Sequence, residues 1–299
     1  MKILIPVDGS IYSNNAANYV ASRVLTGIEK YPELILLNVQ QPLPARAARL
    51  VTTEALADYY KEESEKALQP VRTILNQAGL TAKEMCVTGA AAEKIAEITE
   101  EIKPDCIIMG SHGRSALKTL LFGSVTNAVL ALTDTPLLML RDKAVYDQKV
   151  MNVGVAVDAS QYGEAAVKYV IENSTLFGKN VQFHLINTVS DYTGAVMPDM
   201  TGMALPALSE DEVAELQKSE FAEAIDPVMG YFETAGIEVK KVCLVGNPGD
   251  EIASYAKEAG LDVIVMGSHG YGRFKSAVMG STATRIASTA DVPLLIIRN

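Results

Sequence analysis

A chain of 299 residues has room for two domains of the common size or one large one. With 48% hydrophobic and 21% charged residues its composition is that of an ordinary globular protein. A formal net charge of −10 argues against a nucleic-acid partner, and no apolar run approaches the length of a membrane span.

The first segment, Ile3–Val7, is a β-rich run that reaches Pro6 and Asp8 too soon for a signal peptide. Periodicity then predicts a helix over Ser13–Thr26, with Ser13 or Asn14 able to cap it. Leu34–Val39 is nearly continuously apolar, as expected of a strand covered on both faces. Next come an amphipathic helix over Thr53–Ala78, strand Glu84–Val87, helix Ala92–Glu101 and strand Cys106–Met109. A glycine-rich loop, helix Ser124–Leu132 and strand Pro136–Leu140 complete the pattern. It then repeats as Val153–Val157, Glu164–Ser174, Val181–Asn187, Asp211–Ala235, Lys241–Val245, Asp250–Glu258, Val263–Met266, Ser281–Thr289 and Pro293–Ile297. Asp8 and Asp158 stand 150 positions apart, and Gly110 and Gly267 stand 157 apart, so one net insertion lies between. It falls in Asp191–Leu208, against Gln41–Leu50 in the first half; a lid, a partner surface or a plain loop each fits. The join is the charged connector Arg141–Lys149, giving expected domains 1–143 and 150–299.

Alternation of this kind predicts an α/β fold, each half a parallel sheet with right-handed crossovers and helices on both faces. The last strand of each half, Leu137–Leu140 and Leu294–Ile297, is wholly apolar and would be a hazard at a sheet edge. Pairing or packing of the two against each other, as an intramolecular pseudo-dimer, removes the hazard; burial of each under a local helix is the alternative. Cys86, Cys106 and Cys243 show neither metal spacing nor a disulfide framework. They read as buried thiols in a reducing, cytoplasmic setting.

The glycine loop carries the chemistry. Gly110-Ser111-His112-Gly113, nine residues, then Gly123-Ser124 recurs as Gly267-Ser268-His269-Gly270, nine residues, then Gly280-Ser281. Each copy follows a strand and precedes a helix, an order that gathers backbone N–H groups and a helix dipole around a volume suited to phosphate. Tight turns kept for packing are the competing reading. Arg273-Phe274 stands where a Walker loop requires Lys and a hydroxyl residue, and the spacing misses the dinucleotide fingerprint.

Asp8 and Asp158 end the first strand of each half, beside the glycine loop, where a carboxylate can accept hydrogen bonds from ribose hydroxyls or cap its own turn. Ser124 and Ser281 can cap the following helix or donate to a phosphate. His112 and His269 read as packing or ligand-lining residues, Lys118 and Lys275 as surface lysines, and His184 as a core histidine. No metal site built from protein side chains and no catalytic set emerges.

Two copies of Gly-x2-Gly-x9-Gly-Ser, with a start like Ile-Pro-Val-Asp-Gly-Ser and an end like Asp-Thr-Pro-Leu-Leu-Met-Leu-Arg, resemble the universal stress protein family in its tandem form. The resemblance implies Rossmann-like five-stranded parallel sheets of order 3-2-1-4-5 flanked by helices, and ATP binding by members that carry the motif. It implies that Asp8 meets the ribose, Val39 lies against adenine, and Gly110, Gly113, Gly123 and Ser124 hold ribose and phosphates. In the second half the matching residues are Asp158, Thr188, Gly267, Gly270, Gly280 and Ser281. Neighbours complete the expected nucleotide-binding set: Pro6, Val7, Met109, His112 and Val125, then Ala156, Val157, Met266, His269 and Thr282. The chain departs from the pattern at Thr188, where the family has an aliphatic residue. It departs again at Gly89-Ala90-Ala91-Ala92, which lacks the proline of Gly246-Asn247-Pro248-Gly249.

The expected function is ATP binding in stress response or signalling, working by an occupied-versus-empty change rather than turnover. Bound ATP would require Mg²⁺ or a basic side chain against so acidic a protein. An unknown protein partner and a homodimer beyond the single chain fit this reading; a membrane or nucleic-acid partner does not. The rivals are a slow ATPase or phosphoryl transferase, and a nucleotide-free scaffold holding another ligand.

Overall fold

A computed structural model describes residues 1–25, 30–48, 50–111, 122–141, 150–193, 208–270 and 279–298. The first half runs β1 (Lys2–Pro6), α1 (Ile11–Leu25), β2 (Glu33–Gln40), a single turn α2 (Ala45–Ala48), α3 (Thr53–Gln77), β3 (Ala82–Thr88), α4 (Ala91–Ile102), β4 (Cys106–Gly110), α5 (Ser124–Leu132) and β5 (Leu137–Leu140). The second runs β6 (Met151–Ala156), α6 (Gln161–Glu172), β7 (Val181–Val189), α7 (Glu210–Ala235), β8 (Val239–Val245), α8 (Pro248–Glu258), β9 (Val263–Gly267), α9 (Ser281–Thr289) and β10 (Leu294–Ile297).

All ten strands form one sheet, in the order β3-β2-β1-β4-β5-β10-β9-β6-β7-β8. Within each half every pairing is parallel and the order is 3-2-1-4-5. The halves meet at one antiparallel pairing, Leu294 opposite Met139, Leu295 opposite Leu138 and Ile296 opposite Leu137. The two apolar terminal strands thus cover each other's edges, as their composition demands. Because this seam is antiparallel, the carboxyl ends of the strands point one way in the first half and the opposite way in the second.

Strand side chains alternate between two core layers. Ile3, Ile5, Leu138 and Leu295 pack with residues of α1, α3, α6 and α7, whereas Leu4, Leu137, Met139 and Leu294 pack with α4, α5, α8 and α9. Both layers draw on both halves. Each half also sends a tyrosine across: Tyr19 Oη donates to Leu176 O at 3.1 Å, and Tyr169 Oη to Asp105 O at 2.9 Å. Past the seam strands, Arg141 donates to the carbonyls of Ala287 and Ala290 at the end of α9. Arg298 in turn donates to Leu130 O near the end of α5. Each arginine places its charge at the negative end of a helix in the other half.

Three expectations need correction. Helix α1 starts at Ile11, so Ser13 lies inside its first turn and bonds Asp8 instead of capping. Cys86 and Cys243 are exposed, because β3 and β8 are the outer strands of the sheet; Cys106, on β4, is buried, and burial pushes its thiol up to about 12. The short helix α2 and the 3-10 turn Ser174–Phe177 were not anticipated. Of the Asp191–Leu208 stretch, 194–207 lies outside the described residues.

Candidate functional site: the strand-end crevice of each half

The crevice begins where β1 and β6 end. Pro6 closes β1 and Ala156 closes β6, and the next amide still belongs to the sheet: Val7 N donates to Leu37 O at 2.8 Å and Val157 N to Ile186 O at 2.9 Å. The carboxylate therefore appears right at the strand tip. Asp8 Oδ1 accepts from Ser10 N at 3.0 Å and from Ser13 Oγ at 2.8 Å. Asp158 Oδ1 accepts from Ser160 N at 3.2 Å and Ser160 Oγ at 2.5 Å, while Ser160 caps α6 through Gly163 N. Both carboxylates brace their own turns through Oδ1, and both stand at the crevice. Turn bracing and ligand lining are not exclusive.

The glycines of the second loop have separate reasons to be glycine. At Gly267 a Cβ would stand 2.4 Å from Tyr162 Cβ and 2.9 Å from its carbonyl carbon, so this position lets α6 pack on β9. At Gly270 a Cβ would fall 2.2 Å from Asp158 Oδ2; here glycine brings the loop onto the acid. At Gly280 a Cβ would meet only Ser268 O at 3.4 Å and His269 Cα at 3.6 Å, with φ −66°. The fold accepts a side chain there. What glycine preserves at Gly280 is open approach to the head of α9.

That head is left without a side-chain cap, as is the head of α4 at Ala90. Gly123 and Gly280 are the N-caps of α5 and α9, and neither helix has a side-chain cap. Thr52, Ser160, Ser209 and Asn247 cap α3, α6, α7 and α8. Ser124 and Ser281 are first-turn residues, not caps, which corrects the expectation from sequence: one residue of offset removes them from the capping geometry. The loop also offers fewer amides than expected. Gly280 N donates to Ser268 O at 2.8 Å and Ser268 N to Ile297 O at 2.7 Å; Gly123 and Ser111 repeat this with Ser111 O and Leu140 O. The amides without an acceptor inside the helix are those of Ser281, Thr282 and Ala283, and of Ser124, Val125 and Thr126. Three convergent N–H donors at a dipole's positive end suit a phosphate.

In the second half these features line one cavity of about 1100 Å³ with Ala156, Val157, Thr188, Met266 and His269. Thr188 occupies the strand-end place that Val39 holds in the first half. Its Oγ1 is buried and has no hydrogen-bond partner among the described residues. Beside it Asn187 Nδ2 donates to Val157 O at 2.9 Å, as Asn38 does to Val7 O at 2.7 Å. Asn38 Oδ1 also accepts from Gln40 and Ser64, whereas Asn187 Oδ1 is buried without a partner among the described residues, Val189 and Phe221 standing in their places. His269 Nδ1 lies 3.0 Å from Ser268 Oγ, and its ring packs 5.7 Å from that of Tyr162.

In the first half Val39 packs on the core layer that contains Met109, and Gly110 ends β4. Val125 is exposed in the first turn of α5. His112, Gly113, Lys118 and Lys275 lie outside the described residues. His184 is buried, with Nδ1 2.7 Å from Tyr255 Oη.

Sequence reasoning missed Asp250 and Arg285. Both line the cavity, and Arg285 Nε donates to Asp250 Oδ1 at 2.6 Å. A Cβ at Gly249 would fall 2.5 Å from Arg285 Cβ and 2.6 Å from its Cγ, so that glycine lets the stem of Arg285 pass close to α8. Among the described residues no group of three or more His, Cys, Asp or Glu is placed to hold a metal ion.

Comparison with known proteins agrees with this architecture. Residues 1–141 and 149–298 each match the Universal stress protein family. A universal stress protein from Mycolicibacterium smegmatis is 24% identical over 305 residues, covering 99% of this chain and 96% of that protein. Universal stress protein MJ0531 from Methanocaldococcus jannaschii is 29% identical over 142 residues, covering 47% of this chain and 81% of that protein. The crystal structure of a universal stress protein from Archaeoglobus fulgidus superposes with a TM-score of 0.67 at 24% identity, covering 100% of this chain and 96% of that one. With a family match over each of its halves, the chain belongs to the universal stress protein family, in tandem form.

Proposed function

We propose that this is a cytoplasmic ATP-binding stress-response or signalling protein whose two strand-end crevices each hold an adenine nucleotide. Occupancy, not turnover, is the working event. The observation that carries the reading is Gly280: glycine stands at an uncapped helix head where the fold itself tolerates a side chain. The need for glycine there therefore comes from something that approaches the helix from outside. In this reading Asp158 takes the ribose, the amides of Ser281 and Thr282 take phosphate, and Thr188 borders the base. Asp8, Ser124, Val125 and Val39 do the same in the first half. Mg²⁺ bound with the nucleotide offsets its charge against an acidic chain.

The test compares two glycines. Gly280→Ala should lower ATP affinity of the second half by about tenfold or more, the size of one or two lost charge-assisted hydrogen bonds, with thermal stability nearly unchanged. Gly267→Ala should instead destabilise the fold by about 1–3 kcal/mol, because Tyr162 must move. Calorimetric titration with ATP and thermal melts of both variants read the two effects apart. Unchanged ATP binding in Gly123→Ala/Gly280→Ala would show the site to be misplaced. Nucleotide recovered from purified protein by mass spectrometry, together with phosphate release over time, decides between binder, slow hydrolase and empty scaffold.

A further inference from the structure

Among the described residues that line the second cavity, one charged side chain has an uncharged counterpart in the first half. Arg285 lines the second cavity, and its counterpart in the repeat is Ala128. We propose that Arg285 holds the phosphate tail of a nucleotide in the second pocket and makes that pocket select a triphosphate over a monophosphate, a selection absent from the first. This rests on the nucleotide reading above.

Three features of the fold support the assignment. Arg285 lies four residues past Ser281, so its Cα is about 6 Å down the axis of α9 and on the same flank. Helix side chains lean toward the N-terminus, which carries the guanidinium back toward the helix head where phosphate would sit. The same cavity continues along α9 as far as Ser288, leaving length for a tail that extends past the helix head. Asp250, in the first turn of α8, then fixes one edge of the guanidinium by accepting from Nε at 2.6 Å. Among the described residues the terminal nitrogens of Arg285 bond nothing, which leaves their paired donors available to a phosphate. The ion pair is half-exposed, a class of contact that adds little to stability.

Gly249 bears on the same contact. A Cβ there would overlap Arg285 Cβ at 2.5 Å and Cγ at 2.6 Å. The first half carries Ala92 opposite Ala128, with Glu93 in the place of Asp250.

Calorimetric titrations with ATP and with AMP, at fixed Mg²⁺, test the assignment on full-length protein whose first pocket is weakened by Gly123→Ala. Arg285→Ala should cost ATP about tenfold in affinity and leave AMP within about twofold. Arg285→Lys should restore part of the loss, since it keeps charge but not the paired geometry. Asp250→Asn, which releases the positioned edge, should lower the ATP-to-AMP preference by less. Ala92→Gly/Ala128→Arg, in the opposite background with Gly280→Ala, should raise that preference in the first half. An unchanged preference in Arg285→Ala, or an equal loss for both nucleotides, overturns the arginine assignment alone. Failure of the parent protein to bind either nucleotide overturns the nucleotide reading and the assignment together.

Discussion

After each strand-end carboxylate the chain turns through left-handed backbone, at Gly9 with φ +78° and at Ala159 with φ +58°. Glycine takes that conformation without strain, whereas a Cβ costs about 1–2 kcal/mol, partly offset by the smaller entropy alanine loses on folding. Ala159→Gly should therefore raise stability by up to about 1 kcal/mol, visible as a higher urea midpoint with unchanged slope. The same substitution shows what a sequence conceals at this scale. Asp8 and Asp158 could be read directly, because a repeat sets them beside the same loop. The glycines could be read as a set, but not sorted: Gly267 answers to Tyr162, Gly270 to Asp158, and Gly280 to the space outside. Gly249 and Arg285 gave no signal at all, since they meet only through the packing of α8 on α9.

Strand β7 shows how an element can carry a titrating group into the core. His184 is 4% exposed and bonded to Tyr255, and its burial, with Lys240 nearby, holds the imidazole below its usual range. The unfolded chain titrates near the ordinary histidine value of about 6.5 and so takes up the proton first as pH falls. Stability from this residue is present above that value and is lost as pH drops from it toward the lower native pKa. The urea midpoint should fall between pH 7.5 and 5.5, and His184→Leu should flatten that slope while adding a pH-independent offset. A slope unaffected by the substitution would assign the dependence elsewhere. Elements were the most legible level here. The predicted spans Ser124–Leu132 and Ser281–Thr289 coincide with α5 and α9, because apolar periodicity and the flanking glycine mark both ends. Exposure was less legible: Cys86 and Cys243 lie in apolar runs, yet the runs are edge strands, which only strand order reveals.

At the scale of the molecule the fold class followed from alternation, and the joining of the halves from the composition of Leu137–Leu140 and Leu294–Ile297. The order 3-2-1-4-5 came with the family resemblance; spacing alone does not fix it. The two halves are also tied at their helices, since Arg141 holds the tail of α9 while the head of α9 faces the second cavity. Removing that arginine strips a favourable charge from a helix C-terminus, worth about 1 kcal/mol, and loosens a helix belonging to the other half. Arg141→Ala should therefore weaken nucleotide binding in the second pocket and spare the first, as site-resolved titrations in Gly123→Ala and Gly280→Ala backgrounds would read. Equal effects on both would mean the arginine serves stability alone. The antiparallel seam has one more outcome. Because the strands of the two halves run in opposite senses, the crevices open onto opposite rims of a single slab. If each crevice holds a nucleotide as proposed, a protein seated at one doorway leaves the other uncovered.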